Sequence, residues 1–220
     1  MLKKATFKFL SSVAKHNNRE WFADNKDTYE AARADVIEFT EVLISRLAKV
    51  DKLFSADTQA KKCVLRIYRD VRFSKNKDPY KQNFGIWFSA AGRDGSGPGY
   101  YLHLQPGKSF FGAGYWQPSP EHLKLIRQEI DYNGAELHEI IDDKKFQDTV
   151  DFSFSDTLKN APKGYEQDHG DLRYLKLKSF EVSRPISDDE FFDPKIVNKL
   201  ISYCEIVFPY IAFLRNALSA

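Results

Sequence analysis

The chain has 220 residues, 42% apolar and 15% aromatic, enough to build a substantial core within one domain spanning 1–220. Charged residues make up 29%, yet the formal net charge is only +2. A wide nucleic-acid-binding face needs a more basic chain, so any anion site must be local. The longest apolar run, Ile206 to Leu214, is interrupted by Pro209 and falls far short of the roughly 20 residues of a membrane span.

The elements follow in chain order. Phe7, Leu10 and Val13 predict a short helix ending near His16. Asn17, with Glu20 three residues on, predicts the cap of the next helix. Phe22, Tyr29, Val36, Leu43 and Val50 then recur at helical spacing, with a break predicted near Asn25 to Asp27. Strands are predicted over 63–70, 84–90, 100–105 and 109–113, with the glycine-rich 92–99 as a connection between two of them. Ser119-Pro120 opens a helix that Asn133-Gly134 interrupts, and Leu137 to Ile141 continue the helical pattern. A late strand is predicted over 176–183, a capping box at Ser187 to Glu190, and a terminal helix from Asp193-Pro194 with a kink at Pro209. The expected fold is α+β, a mostly antiparallel sheet packed against long N-terminal and C-terminal helices.

One segment stands out chemically. Residues 61 to 81 hold eight Lys or Arg and two Asp, while residues 129 to 156 hold nine Asp or Glu and two Lys. The near-neutral total therefore hides a polarised chain. Arg66, Arg69 and Arg72, followed by Lys75, Lys77 and Lys81 on a loop, form a cation set able to wrap a phosphate oxyanion. Tyr68, Phe73 and Tyr80 are placed to stack on a base or ring beside it. The first reading is therefore binding of a phosphate-bearing ligand, a nucleotide or nucleic acid. A second is an enzyme on a small anionic substrate, with Asp70 or His103 handling protons. A third is a structural role, with the arginines paired to Asp142, Asp143 or Asp151.

Lys108 to Tyr115 is a further candidate, because Gly112 and Gly114 let a ligand approach the backbone, although a strand ending in a bulge or turn is the favoured account. Asp168-His169 in a polar loop is a weaker acid–base pair. No zinc-protease, Walker, nucleophile-elbow or C-x-x-C motif is present, so neither a metal nor a cofactor is expected. Cys63 and Cys204 lie in apolar segments and read as buried free thiols of a reducing cytoplasm. The N-terminus has no apolar stretch of secretory-signal length.

Several stretches together carry a resemblance. They are Asn17 to Phe22, Arg66 to Lys81, Tyr100 to Leu104, Gly112 to Gly114, Ile126 to Ile130, Pro162 to Tyr165, and Leu175 with Lys178 to Phe180. The sequence resembles the mainly bacterial domain-of-unknown-function family 2461 across nearly its whole length. Where that family favours Asp and Thr, this chain has Asn76 and Asp78. The resemblance implies a single domain and a cytoplasmic, bacterial protein, and it implies no activity.

Overall fold

A computed structural model describes residues 1–90 and 96–219. The chain begins with three helices, α1 (Lys4–Lys15), α2 (Arg19–Asp24) and α3 (Lys26–Val50). The predicted break falls at Asn25, which ends α2 and begins α3. The cap of α2 is Asn18, not Asn17: its side chain accepts from the Trp21 N–H at 2.8 Å. Asn17 is spent elsewhere, clasping the backbone of Tyr80 through both amide atoms at 3.0 and 3.1 Å. Helix α1 has no cap side chain of its own. Buried Asp35 from α3 supplies one, accepting from the Lys3 N–H at 3.0 Å and the Thr6 hydroxyl at 2.5 Å.

After the short helix α4 (Ala60–Cys63) come β1 (Phe84–Ser89), β2 (Gly99–Leu104) and β3 (Phe110–Tyr115). Helices α5 (Pro120–Tyr132), α6 (Gly134–Ile141) and α7 (Lys144–Thr149) lead to β4 (Asp151–Phe152). Then follow α8 (Leu172–Leu175), β5 (Phe180–Pro185), α9 (Asp188–Phe191) and α10 (Ile196–Asn216). The fold is α+β, and the five strands pair antiparallel in the order β1-β2-β3-β5-β4. The predicted 92–99 connection includes residues 91–95, which lie outside the described residues.

Two sequence readings are corrected. Residues 63–70 are not a ladder strand: Cys63 ends a helical turn, and the rest is extended chain held by isolated bridges, Val64 to Ile86 and Tyr68 to Tyr80. Its alternation records the burial of Val64 and Ile67 rather than a two-sided ladder. The late strand starts at Phe180 because Lys176 and Leu177 still belong to the turn that ends α8, their N–H groups donating to the Leu172 and Tyr174 carbonyls at 3.1 and 3.0 Å.

Alternation along the strands gives the sheet two unlike faces. Phe84, Ile86, Phe88, Tyr100, Leu102, Leu104, Phe111 and Val182 point inward to one contiguous core with α1, α3 and α10. Helix α10 is long and apolar enough by length and composition to cross a membrane. Here Val207, Ile211 and Leu214 are fully buried in that core. At its end Arg215 forks onto Asp51, the residue that closes α3, at 2.9 and 2.8 Å. The opposite sheet face carries Trp87, Tyr101, His103, Phe110 and Glu181.

Two histidines pin the loop before β5 onto the helices. His138 of α6 reaches Asp171 at 2.6 Å and Asp142 at 3.0 Å, and His169 reaches Asp131 of α5 at 2.9 Å. The Asp171 bond, then the Asp142 bond, raises the His138 pKa above its ordinary value of 6.5. A raised folded-state pKa stabilises the fold fully below the unfolded value and loses that contribution as pH rises through the folded value. His138→Gln is therefore expected to lower the melting temperature more at pH ~5.5 than at pH ~8.5. An equal loss at both pH values would show that the pair is not ionic.

Candidate functional site

The basic segment forms a hairpin. The Arg69 N–H donates to the Pro79 carbonyl at 2.9 Å and the Lys81 N–H to the Ile67 carbonyl at 2.7 Å, so 67–69 runs beside 79–81. The hairpin continues the sheet edge, because the Leu65 N–H donates to the Gly85 carbonyl of β1 at 2.9 Å. Its base is fixed to the helices by rings. Tyr80 is buried and stacks on Phe22 with centroids 3.9 Å apart and planes 10° apart, and Asn17 clasps its backbone.

The predicted cations divide into two groups. The first braces the loop. Arg69, half-buried, donates to the Asp78 carbonyl at 3.1 Å and the Ser74 hydroxyl at 3.4 Å. Arg72 forks onto Asp70, with its closest nitrogen at 2.6 Å, and Lys77 donates to the Val71 carbonyl at 3.0 Å. The Arg72 bonds, helped by the nearby Arg66 charge, hold the Asp70 carboxyl below its usual range. Asn76 and Asp78 close a turn between themselves: the Asp78 N–H donates to Asn76 Oδ1 at 2.7 Å, and Asn76 Nδ2 donates to Asp78 Oδ2 at 3.0 Å. The second group is open. Arg66 and Lys75 are exposed and have no hydrogen-bond or ion-pair partner among the described residues. Lys81 is half-buried and engaged by its surroundings.

Of the three candidate stacking rings, two are accessible. Phe73 is 96% exposed, with the Arg72 guanidinium 5.9 Å from its ring centre, and Tyr68 is 51% exposed. Tyr80 is unavailable, since it is buried in the stack with Phe22.

The acidic stretch does not meet these arginines among the described residues. Asp142 and Asp131 serve histidines, Asp143 caps α7 by accepting from two backbone N–H groups, and Asp148 pairs with Lys144. Formal charge along a chain gives no distances, and Asp70, two residues from Arg72, is the nearer partner.

His103 lies half-buried on the open sheet face. Its Nδ1 is 3.0 Å from the Tyr101 hydroxyl and its Nε2 is 2.9 Å from Gln105 Oε1. Its ring stacks on Phe110 at 4.8 Å. Gln105 accepts an Nε2–H, which leaves Nδ1 to accept the Tyr101 proton and fixes the neutral tautomer. Burial lowers the His103 pKa, and it pushes the Tyr101 hydroxyl up to about 12. No contact joins His103 to Asp70, the other predicted proton-handling residue, since each is held by a separate set of partners. His169 is held by Asp131 and the Asp171 N–H rather than by its neighbour Asp168.

The family model described as a conserved hypothetical protein, DUF2461, matches residues 5–213. The chain belongs to this family. No curated protein and no solved structure matches the chain. For this DUF2461 member the match takes in both the hairpin and the open sheet face. Sequence reasoning located the hairpin cations and His103 but missed Trp87, which sits on the same open face as Tyr101 and pairs with it across β1 and β2. The available signal was its alternation with buried Ile86 and Phe88.

Proposed function

We propose that the hairpin loop of residues 66–78 binds a phosphate-bearing ligand, a nucleotide or nucleic acid. The observation that carries this reading is the division of labour among the cations. Arg69, Arg72 and Lys77 hold the loop in shape from within, which leaves Arg66 and Lys75 open, while the Phe73 ring, 5.9 Å from the Arg72 guanidinium, is exposed. Open cations and an exposed ring on one braced loop suit a ligand that offers phosphate and a flat base together. The small net charge is compatible with so local a contact. Two buried free cysteines, Cys63 and Cys204, fit a bacterial cytoplasmic setting, where thiols stay reduced.

The test is the salt dependence of affinity for an oligonucleotide. Each released phosphate contact contributes about 0.7 to the log–log slope for a single strand. Arg66→Ala with Lys75→Ala is therefore expected to flatten the slope by about 1.4 and to weaken binding at low salt. Wild-type binding that ignores salt, or a double variant with an unchanged slope, would overturn the reading.

A further inference from the structure

The open sheet face adjoins the hairpin and is built as a platform of rings. Two of its glycines lie under aromatic side chains. A Cβ on Gly85 would meet the Tyr101 hydroxyl at 2.7 Å and Tyr101 Cε2 at 3.1 Å, and a Cβ on Gly99 would meet the Phe88 carbonyl oxygen at 2.4 Å and two Trp87 ring carbons at 2.9 Å. Each ring therefore occupies the space that a side chain on the neighbouring strand would fill. Trp87 and Tyr101 are both half-buried, so each ring keeps part of its surface open to solvent. Beside them, Gly112 lies directly across from Tyr101 and adds no side chain to the row.

Among the described residues, no ring pair or hydrogen bond joins Trp87, Tyr101, His103 or Phe110 to a helix. The partners of Tyr101, His103 and Phe110 are one another, Gln105 and Asn83. The chain on either side of the hairpin borders this face: the Leu65 side chain lies 3.2 Å from the Gly85 Cβ position, and Asn83 approaches His103 at 3.5 Å. Charge runs in one direction across the sheet. The basic hairpin lies at the β1 edge, while Glu181 and Asp151 lie on the outer face at the β5 and β4 edge.

We infer that the ligand is a single-stranded nucleic acid, with its phosphates on the hairpin and its bases stacked on Trp87 and Tyr101. This rests on the hairpin reading and specifies its ligand. Cations on one edge and ring faces beside them match a strand whose charge lies on one side and whose bases lie on the other. The acidic far edge keeps the phosphates on the β1 side. A mononucleotide would need a concave pocket. The cavities lined by Leu43, Phe88 and Cys204, and by Ile130, Leu137 and Phe213, are instead apolar and lie within the core.

The test compares an oligothymidylate of about ten residues, its abasic counterpart and inorganic polyphosphate on the same protein. Base stacking on one aromatic ring changes affinity about 5- to 150-fold. Wild-type protein is expected to bind the base-bearing strand at least about 5-fold more tightly than either base-free polymer. Trp87→Ala and Tyr101→Ala are expected to erase that preference and to leave polyphosphate binding within about twofold. The wild-type comparison needs no variant to fold. Equal affinity for all three polymers would overturn the sheet platform and leave the hairpin reading standing. No binding of any polymer would overturn both. Binding to phosphatidylserine vesicles without binding to the oligothymidylate would also overturn the inference, in favour of a membrane surface.

Discussion

Asp51→Ala is expected to destabilise the protein by about 3–5 kcal/mol, measured by urea unfolding. The Asp51 carboxylate is 0% exposed and is saturated with donors. Arg215 supplies two, at 2.9 and 2.8 Å, the Tyr100 hydroxyl one at 3.2 Å, and the Leu53 N–H one at 3.2 Å. The group joins the C-terminal end of α3, a core strand and the last turn of α10. Removing it strands the Arg215 guanidinium, itself only 13% exposed, without a counter-charge. A buried charge without a partner costs far more than the intact pair contributes. Replacing both members, Asp51→Leu with Arg215→Met, is therefore expected to recover much of the loss. A single-variant loss below about 1 kcal/mol would show that solvent reaches the site.

The second large effect is a contrast within one strand. Gly114→Ala is expected to cost about 2–4 kcal/mol, from left-handed backbone strain and overpacking together. Gly114 has φ +120°, and a Cβ there would lie 2.0 Å from the Phe180 carbonyl oxygen in the β3–β5 ladder. Two residues earlier, a Cβ on Gly112 would meet its nearest atoms at 3.6 to 3.8 Å, an ordinary contact. Gly112→Ala is therefore expected to be neutral or to stabilise by up to about 1 kcal/mol, because glycine carries an entropic cost within a strand. The two glycines that looked alike in sequence thus differ in kind. One is demanded by the ladder; the other leaves clearance beside Tyr101 that the fold does not require. Equal effects of the two substitutions on the melting temperature would contradict this division.

Much of the fold was legible because hydrophobic spacing and caps act locally. Ser119 accepts from the His122 N–H as its sequence position implies, and Ser187 with Glu190 forms the expected capping box. The α2–α3 break and the interruption at Asn133 are likewise local events. Readings that depended on distant partners fared worse. Asn17 looked like a cap, but Tyr80, sixty-three residues later, offered its backbone and left Asn18 to cap α2. Residues 63–70 alternate like a strand, yet they have neighbours only at isolated bridges along one edge, so a ladder does not form. The cations of the hairpin were visible, but their division into bracing and open groups depends on side-chain geometry that spacing does not encode. Trp87 passed unremarked within a ring-rich run whose two faces only strand pairing separates.

Backbone amide shifts, followed while oligothymidylate is added to the intact protein, test the nucleic-acid reading most directly. The expected result is movement of residues 66–78 together with Trp87 and Tyr101, while Asp142 to Asp151 stay still. Saturable binding that leaves 66–78 unmoved, or no shift at any strand concentration, would contradict it.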